Sequence, residues 1–169
     1  MKSVVMVISH KGFRDEELLE PKEVLEKNNI RVKIASTELS QAQGKLGALI
    51  KPDILFKEIN LSGFDALVFI GGPGSLQYWD DSLAHKLLKD AILSGKIVAG
   101  ICSAVVTLAK SGILRGKRAT VFPGDSQELI DNGANYTAAS IEKDGNIITA
   151  VGPQAARAFG EEIVKALVK

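Results

Sequence analysis

Cysteine is nearly absent from this chain: Cys102 is the only one. A disulfide within the chain is thereby excluded, and so is any metal site built from several cysteines. Histidine is almost as scarce, with only His10 and His85. No charge of either sign dominates. The 21 basic side chains face 20 acidic ones, for a formal net charge of +1. That balance leaves no electrostatic footprint for nucleic acid or for an acidic membrane. No apolar run reaches the ~18 residues that a membrane span needs. Met1 to Ser9 shows neither the basic leader nor the small-residue cleavage site of a secretory signal. The expected location is cytoplasmic, where a lone thiol stays free.

What is present suits a globular protein. With 169 residues, 46% of them apolar, the chain can bury a sizeable core, and a single domain over 1–169 is the simplest reading. Short apolar runs alternate with helical patterns. Strands are expected at Ser3 to Ser9, Ile30 to Ser36, Ala66 to Ile70, Lys96 to Ile101 and Arg118 to Phe122. A hairpin over Ile141 to Ala150 turns at Asp144-Gly145. Helices are expected at Asp15 to Asn28, Asp80 to Leu93, Ser103 to Ser111, Ser126 to Asn132 and Ala155 to Val168. Gly44 to Ile59 reads as a small hairpin bridged by Lys51-Pro52-Asp53. This alternation predicts an α/β protein: a mostly parallel sheet covered by helices on both faces.

In open parallel sheets, ligands bind beyond the carboxyl ends of the strands. That rule selects His10 to Asp15, Gly71 to Gly74, Cys102, Phe122 to Asp125 and Gly152-Pro153. Around Cys102 an apolar strand runs straight into a helix, with Gly100 and Ala104 two residues to either side. This is the pattern of a nucleophile elbow, where a strained turn holds the side chain above the sheet. The adjoining helix start offers free N–H groups and a positive dipole end, which predicts a lowered thiol pKa. The alternative is a small, inert core cysteine. The N–H groups of Gly72 and Ser103 are candidates for an oxyanion hole facing Cys102; the alternative is an ordinary Gly-Pro turn. The glycine spacing does not match a dinucleotide-binding fingerprint. No cofactor and no metal are called for.

On the first helix, Glu16, Glu20 and Glu23 share a solvated face, whereas Glu17 aligns with Pro21 and Val24 at the edge of the apolar stripe. Burial there raises a carboxyl pKa, so a protonated Glu17 can donate to sulfur. Equally, Glu17 is a first-turn acid that favours the helix dipole.

Taken together, the Cys102 elbow, the Gly71-Gly72 turn and the run Phe13-Arg-Asp-Glu-Glu-Leu-Leu-Glu-Pro21 resemble the ThiJ/PfpI superfamily. That family includes the Parkinsonism-linked protein deglycase and the PfpI intracellular protease. Gly112 to Thr120, Phe122-Pro-Gly124 and Asp144-Gly145 extend the resemblance over nearly the whole chain. It implies a flavodoxin-like three-layer sandwich, a homodimer or higher homo-oligomer, a reactive Cys102, a hydrogen-bonded Glu17, and oxyanion-hole positions at Gly72 and Ser103. Three departures stand out. Ser103 occupies the place of the histidine that follows the cysteine in PfpI-type proteases, and Phe122 that of a histidine in the Parkinsonism-linked branch. No acidic residue lies between Gly72 and Asp80, where the proteases draw an acidic partner from a neighbouring subunit. A Cys-His-acid triad at the usual positions is missing. His10, after the first strand, is the one accessory candidate; His85 reads as a surface residue.

The expected function is a cysteine-dependent hydrolase or lyase acting on a small-molecule electrophile, of glyoxalase or deglycase type. The alternatives are a non-catalytic oxidative-stress, redox-sensing or chaperone-like protein, and a PfpI-type peptidase, which the missing histidine disfavours.

Overall fold

The computed structural model describes residues 1–169. Its strands are β1 (Ser3–Val7), β2 (Lys11–Phe13), β3 (Arg31–Ser36), β4 (Ala42–Gly44), β5 (Leu49–Ile50), β6 (Ile54–Leu55), β7 (Ala66–Phe69), β8 (Ile97–Ile101), β9 (Arg118–Ala119), β10 (Asn135–Tyr136), β11 (Ile141–Asp144) and β12 (Ile147–Ala150). Its helices are α1 (Asp15–Lys27), α2 (Ser82–Leu93), α3 (Val105–Lys110), α4 (Ser126–Asp131) and α5 (Ala156–Leu167). Seven strands form the central sheet in the order β11-β12-β8-β7-β1-β3-β6. All its pairings are parallel except β11 with β12.

Side chains alternate across a strand, and β1 displays this directly. Val4 and Met6 join the core shared with Leu18 and Leu25 of α1 and Phe159 and Ile163 of α5. Val5 and Val7 join the opposite core, with Leu87 and Leu88 of α2 and Val105 and Leu108 of α3. A strand buried on both faces has to be apolar at every position, which is why SVVMV shows no polar alternation. The result is a helix–sheet–helix sandwich of flavodoxin-like fold. Leaving aside the edge strands β6 and β11, the sheet runs second, first, third, fourth, fifth in chain order. Such an order opens a crevice beside the first strand, between β1 and β7.

Three expectations are corrected. Arg118 to Phe122 does not extend the central sheet: only Arg118–Ala119 is a strand, and it pairs with β10 in a separate two-stranded sheet. The Phe-Pro pair turns the chain away, because proline cannot donate to a ladder. Gly44 to Ile59 is not one hairpin across Lys51-Pro52-Asp53. Instead β4 pairs with β5 and, in parallel, with β2, while β6 lies beside β3 in the main sheet. The segment after Cys102 opens as a single 3-10 turn, Cys102–Ala104, before α3 begins. No helix is long and apolar enough to cross a membrane.

Tyr78 closes the α2 side of the β1 end. It packs against Phe56 and Phe69, with ring centroids 4.9 and 5.9 Å away, and its hydroxyl donates to the Ile8 carbonyl at 2.8 Å. The Ser36 hydroxyl donates to the same carbonyl. Tyr78→Phe therefore leaves no orphaned acceptor and is expected to cost only about 1 kcal/mol in chemical denaturation.

Candidate active site

The crevice holds a cleft of about 530 Å³, with Cys102 and Glu17 among the residues that line it. Every segment that the strand-end rule selects contributes, although His10 itself does not: Arg14 from the segment His10 to Asp15, Gly72 and Pro73 after β7, Cys102 and Ser103 after β8, Phe122 and Pro123 after β9, and Val151 and Pro153 after β12.

Cys102 follows directly on β8 and takes φ +60°, one of only two non-glycine residues in the left-handed region. That conformation costs an L-residue roughly 1–2 kcal/mol. It is held by its surroundings. The Ser103 carbonyl accepts from Trp79 Nε1 at 2.9 Å, and the Ser103 hydroxyl donates to Asp125 Oδ2 at 2.6 Å. The residue is 8% exposed and lines the cleft, so it is sheltered yet open there. The backbone N–H groups of both Ser103 and Gly72 are directed at the sulfur. Gly72 reaches this position with φ +102°, which favours glycine.

Glu17 is fully buried. Its Oε1 accepts the Gly71 N–H at 3.0 Å. The Gly71 carbonyl in turn accepts from the Arg14 N–H at 2.9 Å, so both polar groups of one glycine dock the start of α1 onto the end of β7. Glu17 Oε2 has no nitrogen or oxygen partner and is the carboxyl oxygen left for the Cys102 thiol. Burial is the main cause that raises the Glu17 pKa, to about 7; hydrogen bonds from Cys102 and Gly71 offset only part of it.

The expected lowering of the thiol pKa is overturned. Burial, followed by the neighbouring Glu17 carboxylate, pushes Cys102 up to about 12, and the N–H groups of Ser103 and Gly72 do not compensate. A helix start of one 3-10 turn and a six-residue helix offers too little positive potential to outweigh desolvation. The two groups titrate as a pair. Between about 7 and about 12 the pair holds a single proton, because losing the second would set two anions side by side.

His10, the accessory candidate, stands outside the cleft. Its Nε2 lies 3.1 Å from the Ser40 carbonyl and 3.0 Å from the Ser40 hydroxyl, and its Nδ1 lies 3.3 Å from Glu38. Ser40 and Glu38, both in the connection between β3 and β4, thus hold the imidazole. His85, on α2, places Nε2 2.7 Å from the carbonyl of Trp79, which precedes that helix, and is likewise no part of the site.

Several site residues escape a reading of the sequence. Asp125 lies in a loop that the strand-end rule selects, but nothing in its spacing tells of the Ser103 bond. Gly71 stands out only as half of a glycine pair, and its role as spacer needs the third dimension. Arg14 belongs to the quoted helix-start run without drawing notice. Lys45 carries no sequence signal at all.

This fold and this cleft, a cysteine elbow facing a buried glutamate, define a class of cysteine-centred α/β proteins. The model of the DJ-1/PfpI family matches residues 2–166, and the chain belongs to that family. It is 33% identical to the deglycase PYRAB04690 of Pyrococcus abyssi over 96% of this chain and 98% of that protein. Against the glutathione-independent glyoxalase DJR-1.2 of Caenorhabditis elegans it is 25% identical, covering 98% and 89%. Among solved structures, the ThiJ/PfpI domain protein of Brachyspira murdochii superimposes with a TM-score of 0.96 at 37% identity, covering 98% of this chain and 95% of that one.

Proposed function

We propose that this protein is a cysteine-dependent enzyme of glyoxalase or deglycase type, acting on small reactive aldehydes with an adjacent carbonyl. The observation that carries this reading is the free carboxyl oxygen of buried Glu17 beside a cysteine held at positive φ; burial raises that carboxyl to about 7. Relatives named deglycase and glyoxalase support the same class.

The chemistry needs no histidine. As Cys102 Sγ bonds to the aldehyde carbon, its proton passes to the Glu17 carboxylate, and the carbonyl oxygen takes up negative charge between the Gly72 and Ser103 N–H groups. Glu17 hands that proton on to the oxygen, which gives a hemithioacetal and leaves the carboxylate free again. Glu17 then takes the proton from the former aldehyde carbon and returns it to the neighbouring carbonyl carbon, while the hemithioacetal hydroxyl proton moves to the neighbouring oxygen, so the first carbon is oxidised to the thioester level and the second reduced to an alcohol. Water cleaves the resulting thioester and restores the thiol. The sum is one α-oxoaldehyde plus one water giving one α-hydroxy acid.

A redox-sensing role is the weaker reading, since a thiol pushed up to about 12 presents little thiolate to peroxide. Peptide cleavage is weaker still. The position after the cysteine is a serine whose hydroxyl is committed to Asp125, and no histidine lines the cleft.

The test is conversion of methylglyoxal to lactate by the wild type and by Cys102→Ser. The wild type is expected to form lactate and the variant to be inactive. Equal turnover by the two, or none by the wild type, overturns the proposal.

A further inference from the structure

The cleft has one ionic feature that attack on a simple aldehyde does not use. Besides Glu17, its charged lining residues are Arg14 and Lys45. The Arg14 guanidinium is already occupied: Nε and Nη2 donate to the two carboxylate oxygens of Glu16 at 2.9 and 3.0 Å. Lys45 differs, because its ammonium has no carboxylate within ion-pairing distance; all 12 ion pairs of the protein involve other cations. It is the unneutralised positive charge at the cleft.

Nor is Lys45 on a loose loop. Its own N–H donates to the Phe13 carbonyl at 2.8 Å. The next residues of the turn are clamped by Asp15, a 7%-exposed carboxylate whose two oxygens accept the N–H groups of Leu46 and Ala48 at 2.8 Å each. Asp15 is the first residue of α1, two positions before Glu17. One helix start therefore sets both the proton carrier at the floor and the turn that carries the ammonium. The remaining lining includes Phe122, Pro123, Val151 and Pro153, an apolar wall suited to a short hydrocarbon spacer.

Resting on the α-oxoaldehyde reading above, we propose that the cleft selects α-oxoaldehydes that carry a second, anionic group, and that Lys45 is the specificity-determining residue that receives it. The reacting carbonyl lies at Cys102 under the Gly72 and Ser103 N–H groups, the spacer runs along the Phe122 wall, and the carboxylate or phosphate meets the ammonium. A single charge-assisted hydrogen bond open to solvent at the rim supports a preference of roughly five- to tenfold.

The probes are dioxovalerate, which ends in a carboxylate, and its neutral counterpart propylglyoxal. With one water, dioxovalerate becomes hydroxyglutarate: the aldehyde carbon rises to a carboxylate as the neighbouring ketone falls to an alcohol, and no outside oxidant is needed. The wild type is expected to show a roughly five- to tenfold higher kcat/KM for dioxovalerate, carried in KM and shrinking as salt is added. Lys45→Gln is expected to abolish the preference and Lys45→Glu to reverse it. Lys45 is exposed and its side chain makes no hydrogen bond or ion pair, so both variants are expected to melt like the wild type. If the wild type turns over both probes with equal kcat/KM, or the preference survives in Lys45→Glu, this inference falls and the reading of the reaction stands. If it turns over neither, both fall.

Discussion

Glu17→Gln is expected to lower kcat/KM for methylglyoxal by roughly 10²–10³-fold, the range for loss of a positioned proton carrier. The sign of the pH dependence follows from the pair. Below about 7, Glu17 and Cys102 both hold their protons and no base faces the thiol. As the pH rises through about 7, Glu17 loses its proton and can accept that of the thiol. Wild-type kcat/KM should therefore climb along a limb centred there, and Glu17→Gln should lack the limb. An unchanged profile in the variant would remove Glu17 from the reaction.

The same variant is expected to be more stable. In the unfolded chain Glu17 ionises near its ordinary 4.5, but in the fold near about 7. Between those values the folded state binds more protons, so stability falls as pH rises through the window and stays lower above it. At 1.36 kcal/mol per pKa unit, the penalty above pH ~7 is on the order of 3 kcal/mol. Glutamine escapes the penalty but accepts the Gly71 N–H more weakly. A net gain of about 2 kcal/mol, or roughly 4–8 °C in Tm, is expected above the Glu17 pKa. The gain should fade as the pH falls from about 7 and be gone below 4.5. A less stable Glu17→Gln at high pH would contradict the burial argument. A site that weakens its own fold in this way exchanges stability for a carboxyl that titrates near neutrality.

Gly71→Ala is the second large effect. A Cβ at this position would lie 2.5 Å from Glu17 Oε1, 2.6 Å from the Ile101 carbonyl oxygen and 2.7 Å from Cys102 Cβ. Two of these neighbours belong to the end of β8 and the elbow, which have no room to move. Overpacking of this kind costs about 1–3 kcal/mol, sometimes more, and the upper end is expected here. Activity should fall about 10²-fold even in the folded fraction, because the methyl forces Glu17 and Cys102 out of register. Gly63→Ala, whose Cβ would meet nothing within 4 Å, serves as the control and should change neither quantity. If Gly71→Ala behaves like Gly63→Ala, the close packing of Glu17 against Cys102 is disproved.

Much of this architecture is legible in the sequence. The apolar runs of β1, β7 and β8 and the amphipathic pattern of α2 and α5 announce themselves, because burial on two faces or on one imposes different periodicities. The ends of the elements shift by a residue or two, where caps rather than periodicity decide. Asp81, whose side chain accepts from Leu83 and Ala84, starts α2 later than its charge pattern suggests. Short strands were the hard cases. A strand of two residues such as β9 or β6 is defined by its partner, not by its own composition.

By itself, the sequence determined that one thiol is present, that it stands between a buried strand and a helix, that Glu17 aligns with the edge of the apolar stripe without deciding whether it is buried, and that no histidine occupies the usual triad positions. These are matters of residue identity and local period. Tertiary structure alone decided the rest. It turned the His10 ring to Ser40 and Glu38 rather than into the cleft, set Gly71 between Glu17 and Cys102, and brought Lys45 to the cleft from a turn 57 residues before the cysteine. It also reversed the expected thiol shift. Desolvation depends on everything packed around a group, whereas a helix dipole can be read from its own segment.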